Sequence, residues 1–124
     1  MKLAIVGWRG FTDAALFDAT ILDFVCEHGM PLLVISGGAK GADALGEAWA
    51  RKHKIELLVL KPDWTRLKGG AGIARNTDIV AECTHMLAFP HDQGKRRDGT
   101  EKGGTQDSIR KARAQNKIVV IKKV

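Results

Sequence analysis

The chain has 124 residues, 44% of them hydrophobic and 27% charged, with a formal net charge of +6. That length suits one domain with a real core, and no apolar run approaches the roughly 20 residues that would span a bilayer. Charge is uneven: residues 1–50 hold three Lys/Arg against six Asp/Glu, so residues 51–124 carry the whole basic excess, a half suited to nucleic acid, a phosphorylated small molecule or an acidic protein.

The first segment, "KLAIVG" (2–7), is short, apolar and β-branched, and it ends in Gly. It reads as a buried strand. Trp-Arg follows too soon for the apolar region of a signal peptide, so the expected compartment is cytoplasmic. "TDAALFDATILDFVCEHG" (12–29) carries Leu16, Ile21, Leu22, Phe24 and Val25 at helical spacing, with Thr12 or Asp13 to cap its start and Gly29 to end it. "PLLVIS" (31–36) is a second strand, "ADALGEAWARKH" (42–53) a second helix and "IELLVL" (55–60) a third strand.

Polar, Gly-rich "KPDWTRLKGGAG" (61–72) reads as a loop before a helix in "IARNTDIVAEC" (73–83). "HMLAFP" (85–90) is a fourth strand stopped by Pro90, and "HDQGKRRDGTEKGG" (91–104) a second long polar loop. "TQDSIRKARAQN" (105–116) is a helix and "KIVVIKK" (117–123) a final strand. Cys26 and Cys83 lie in helix-like apolar surroundings without C-x-x-C spacing, and His28, His53, His85 and His91 form no i, i+4 pair. Two reduced thiols are expected, with neither metal nor cofactor.

Strands and helices alternate, and the strands are almost continuously apolar. Such a pattern requires a parallel sheet with helices on both faces. We expect a single α/β domain over residues 1–124, a small Rossmann-like three-layer fold with five parallel strands ordered 3-2-1-4-5. Ligands of such sheets sit beyond the carboxyl ends of the strands where the order reverses, here between strands one and four.

The unusual residues gather at that edge. Gly7, Trp8, Arg9 and Gly10 follow the first strand; Ser36, Gly37, Gly38, Ala39, Lys40 and Gly41 follow the second. Lys61, Pro62, Asp63 and Trp64 follow the third, and Pro90, His91, Asp92, Lys95, Arg96 and Arg97 the fourth. Residues 36–41 enter a helix N-terminus, where unpaired N–H groups and the helix dipole favour an anion and missing side chains let a phosphate come close. The same glycines also suit a tight turn with close helix packing. Gly103 and Gly104 form a second pair at a second helix start, with Thr105 available as N-cap. Two such entrances at one edge converge on one ligand.

Arg75 and Asn76 lie near the start of the third long helix. Arg75 is either a bidentate phosphate contact or a surface cation. Trp8 and Trp64 either stack on a base or sugar or belong to the core, and Trp49 belongs to the core. Asp43 and Asp107, each in a first helical turn, are either dipole partners or carboxylates aimed into the site. The pair His91–Asp92 reads as ordinary loop more readily than as metal ligand or acid–base pair.

Taken in order, "GWRGFTD", "ISGGAKGADALGEAWA", "KPDW", "AGIARN", "FP" and "GGTQDSIRKA" resemble the SLOG superfamily, and more narrowly its YspA/YpsA-related branch, over nearly the whole chain. The superfamily includes the Lonely Guy phosphoribohydrolases, which split nucleoside monophosphates, DprA-type proteins that bind single-stranded DNA, and domains thought to sense or process nucleotide-derived signals. By that resemblance Gly37, Gly38 and Gly41 correspond to the hydrolases' first glycine motif. Arg75 matches their Arg, while Asn76 replaces their Lys. Gly103, Gly104 and Thr105 resemble a shortened phosphate loop, without the leading Pro and without the extra residue that the hydrolases place between their glycine pair and a further Gly-Thr. Asp107 stands in the place of the catalytic Glu, one methylene shorter.

The resemblance implies a nucleotide or nucleotide-derived ligand. Its phosphate would rest on Gly37, Gly38, Lys40, Gly41, Gly103, Gly104 and Thr105, with Gly7, Arg9, Ser36, Asp43, Trp64 and Asn76 completing the site. Hydrolysis of the N-glycosidic bond would use Arg75 and Asp107. The alternatives are a sensor of a nucleotide or ADP-ribose-type signal without chemistry, and third, a DprA-like nucleic-acid-binding module. A homo-oligomer that completes a shallow site, supplying what Asn76 lacks, is a further expectation.

Overall fold

The computed structural model describes residues 1–67, 70–91 and 103–124. Five strands, β1 (Lys2–Gly7), β2 (Leu33–Ser36), β3 (Glu56–Val59), β4 (His85–Phe89) and β5 (Ile118–Ile121), form one parallel sheet in the order β3-β2-β1-β4-β5. The helices are α1 (Ala14–His28), α2 (Ala42–Lys52), α3 (Trp64–Leu67), α4 (Ala71–Glu82) and α5 (Gly104–Ala114). The strand order and the α/β class are those expected from the sequence. None of these helices is long and apolar enough to cross a membrane.

Successive side chains of a strand point to opposite faces, and β1 shows why both faces are covered. Leu3 and Ile5 join Phe17, Ile21, Phe24 and Trp49 in one core cluster under α1 and α2. Ala4 and Val6 join Ile79, Val80, Ile109 and Ala112 in the other, under α4 and α5. Leu87 and Met86 of β4 divide in the same way. Each large side chain of this kind stabilises the fold by roughly 1.5–3 kcal/mol relative to exposure.

The caps explain the helix ends and one departure. Asp13 caps α1 by accepting from Leu16 N–H at 3.0 Å, and Gly29 closes it at φ +89°. At α5, Thr105 is not the N-cap. The helix starts one residue earlier with Gly103 as cap, at φ +110° and without a side-chain capping bond. The segment 61–72, read as loop, contains α3, whose entry is held by Asp63 accepting from Arg66 N–H at 3.1 Å. The outer strands β3 and β5 are also shorter than their apolar runs.

Candidate functional site

Parallel connection sends the carboxyl ends of β1, β2 and β4 to one edge, where α2, α4 and α5 begin or pass. A cavity of about 380 Å³ opens there, against Gly7 and Arg9 of β1 and its loop, Asp43 of α2, Arg75 and Asn76 of α4, and Thr105 of α5. Gly104 and Ser108 complete its α5 side. A second lobe of about 310 Å³ shares Arg9, Ala39 and Arg75 with the first and adds Gly37, Gly38, Lys40 and Trp64. Of the sequence candidates, Ser36, Gly41, Gly103 and Asp107 line neither lobe. Asp92 and residues 95–97 lie outside the described residues.

The glycine loop after β2 is turned inward on the protein. Asp43 Oδ2 accepts from Gly37 N–H at 3.1 Å and Ala39 N–H at 3.3 Å. Ser36 Oγ accepts from Gly38 N–H at 3.1 Å and donates to Glu47 at 2.9 Å. These amides therefore already hold the chain's own oxygen atoms, and the expected phosphate seat on them is filled. Gly41 serves packing: at φ +75° it brings α2 against the main chain of Trp8 and Arg9, where a Cβ would collide with both carbonyls. Gly7 likewise lets Ala42 approach β1, since its Cβ would lie 2.6 Å from that of Ala42.

The amides at the start of α5 are different. No side chain caps Gly103, and the N–H groups of Gly104 and Thr105 meet no acceptor among the described residues. Gly104 and Thr105 both border the first lobe. With the helix dipole, this end attracts negative charge.

Asn76 ties that end to α4. Its Nδ2 donates to Gly104 O at 3.2 Å and to Asp107 Oδ2 at 3.1 Å, while its Oδ1 accepts from Arg75 Nε at 3.1 Å. Arg75 Nη1 donates to Gly37 O at 2.6 Å. Asp107 also receives Lys111 at 2.9 Å, and Lys111 donates to Ile73 O and Thr77 on α4. Asp107 is thus a clamp between α4 and α5, not a carboxylate facing the cavity.

Electrostatically the cavity is cationic around one buried acid. Asp43 is 5% exposed. Burial pushes its pKa up to about 6, against the opposing pull of the Ala39 amide, Arg75 and the Gly37 amide, with Glu47 adding to the rise. Arg75 is lowered from its usual value by burial and by Arg9, and supported by Asp43. Arg9 is exposed and borders both lobes.

Sequence reasoning missed three participants. Ser108 lines the first lobe because it stands four residues after Gly104 on one helical face, a spacing readable once the helix start is known. His91 is more than loop: its ring stacks on Trp8 at 3.8 Å and 12°, and its Nδ1 meets Val124 O at 2.7 Å. Lys111 stands four residues after Asp107 on α5, so helical spacing pairs the two, while the packing of α5 on α4 brings its ammonium to Ile73 O and Thr77.

The sheet order and the edge site define a Rossmann-like α/β fold of the kind seen in DNA processing protein A (DprA) from Streptococcus pneumoniae. That structure superposes with a TM-score of 0.69 at 19% identity, over 97% of this chain and 49% of that one. The chain therefore spans about half the length of that DprA chain. Residues 1–67 match the YspA, cpYpsA-related SLOG family (YAcAr). The Gene 61 protein of Mycobacterium phage D29 is 30% identical over 95 residues, covering 72% of this chain and 76% of its own. The chain belongs to the YspA, cpYpsA-related SLOG family.

Proposed function

We propose that the chain binds a nucleotide or nucleotide-derived small molecule, with the phosphate held in the first lobe between Arg9, Arg75 and the start of α5. One observation carries this reading: two guanidinium groups and the amides of Gly104 and Thr105, which meet no acceptor among the described residues, border the same cavity. Arg offers planar, charge-assisted donors to phosphate, and the helix end adds main-chain ones. Family and fold are in keeping with nucleotide- or nucleic-acid-related function in general. The seat differs from the one expected on residues 37–41, because Asp43 and Ser36 hold the amides of Gly37, Gly38 and Ala39.

A thermal-shift panel of inorganic phosphate and nucleoside mono- and diphosphates tests it. Concentration-dependent stabilisation by the nucleotides, weakened in Arg9→Ala, supports the reading. No stabilisation by any phosphate compound rejects it.

Hydrolysis of the ligand's N-glycosidic bond is the second reading, favoured by Asp43. It is a carboxylate bordering the cavity, and a pKa near 6 suits proton transfer near neutral pH. Asp107, the carboxylate expected from sequence, is engaged by Asn76 and Lys111 instead. Release of free base from a nucleoside monophosphate by the wild type, lost in Asp43→Asn, supports hydrolysis. Recovery of the ligand intact leaves binding alone.

A further inference from the structure

We propose that the second lobe seats the planar ring of the ligand, so that the ligand is a nucleoside phosphate with its base on Trp64 and not a phosphorylated sugar. The inference rests on the phosphate reading above. Arg9 and Arg75 border both lobes, so a ligand anchored on them has a second direction in which to extend. That direction leads to Trp64.

The indole is 55% exposed and belongs to neither core cluster, so burial in the fold does not account for it. It stands near the first turn of α4, where a Cβ on Gly72 would lie 3.9 Å from Trp64 Cη2. Gly37 and Gly38 line the same lobe, and Lys40 adds a cation to its lining. The lobe's volume of about 310 Å³ sits at the lower end of small-molecule pockets, roughly 300–1,000 Å³. An open aromatic face beside a phosphate anchor fits a base, because every base has a π-face that stacks on an indole. A sugar phosphate has no such face and would leave the lobe unused.

Calorimetric titration of the full chain with AMP, UMP and ribose 5-phosphate tests this. The wild type is expected to bind at least one of the nucleotides more tightly than ribose 5-phosphate. Trp64→Ala should lose roughly 5- to 150-fold in nucleotide affinity and leave ribose 5-phosphate affinity unchanged, while Trp64→Phe retains most of the nucleotide affinity. Equal wild-type affinity for all three compounds, or an equal effect of Trp64→Ala on all three, overturns the ring subsite and leaves the phosphate reading standing. Failure of the wild type to bind any of them rejects the phosphate reading, and the subsite with it.

Discussion

Arg75 donates to the carbonyl oxygen of Gly37 at 2.6 Å, and a Cβ on Gly37 would fall 2.6 Å from that same guanidinium nitrogen. The missing side chain of Gly37 is therefore the space that Arg75 occupies. A glycine expected to admit a ligand phosphate instead admits a cation of the protein. The loop after β2 contributes to the site by locating Arg75, and its amides at residues 37–39 are kept by Asp43 and Ser36.

This gives a first prediction. Gly37→Ala should push Arg75 and Asp43 apart and cost about 1–3 kcal/mol, the usual range for overpacking a filled site. Nucleotide stabilisation in a thermal-shift assay should fall with it. Gly70→Ala is the control: nothing among the described residues lies within 4 Å of a Cβ there, and its φ of −87° suits any residue. Its urea midpoint should give a stability within about 1 kcal/mol of wild type. Equal losses in the two variants would mean that Gly37 is not a special contact.

Asp107 gives the second. It accepts from Asn76 of α4 and pairs with Lys111 one turn on in α5, so Asp107→Ala removes one direct bond between the two helices and the carboxylate that holds Lys111 toward α4. Stability should drop by about 1–2 kcal/mol, allowing for the partial exposure of these groups. Ligand affinity should fall too, because Gly104 and Thr105 lose their fixed position. Urea unfolding and titration with a nucleoside monophosphate read the two effects. Loss of ligand affinity with unchanged stability would point to direct contact instead of clamping.

The third concerns Arg9, which is exposed and borders both lobes. Arg9→Ala should leave the urea midpoint unchanged and weaken nucleotide binding about tenfold, the low end for a charge-assisted hydrogen bond. The remaining affinity should depend less steeply on salt. A variant that binds as tightly as wild type would remove Arg9 from the phosphate contact.

The sheet was legible because its signals are local. Alternation of Leu3 and Ile5 with Ala4 and Val6 assigns two faces, and apolar runs between helical stretches force parallel pairing. The gathering of Arg9, Asp43, Arg75 and Thr105 at one edge followed from that topology. What each of them touches did not follow. Asp43 and Asp107 look alike in sequence, each in a first helical turn. They separate only because positive φ at Gly38 and Gly41 curls the loop after β2 back over Asp43, whereas α5 lays Asp107 against Lys111. Nor does the sequence show that Asn76 reaches from α4 to Gly104 O at the start of α5.

The fourth prediction concerns pH and again turns on Asp43. Its folded pKa of about 6 stands above the unfolded carboxylate value of 3.8, so between these two pH values the folded chain holds a proton that the unfolded chain has released. A raised folded value means that the group's contribution is complete below the unfolded pKa and is lost as pH rises through the folded one. The chain should therefore lose stability, on the order of 3 kcal/mol for this one group, between about pH 4 and pH 7. Asp43→Asn keeps an oxygen for the Gly37 and Ala39 amides and removes the titration. Its urea midpoint should vary less with pH over that interval, and the difference from wild type should grow in favour of the variant as pH rises. Ligand binding adds a second reading of the same group. A phosphate placed near Arg75 brings negative charge toward Asp43 and raises its proton affinity further, so nucleotide binding at pH 6–7 should take up protons. Titration in two buffers of different ionisation enthalpy measures that uptake, which should vanish in Asp43→Asn. Parallel pH–stability curves for wild type and variant would show that Asp43 ionises freely and that its burial between the two loop amides carries no electrostatic penalty.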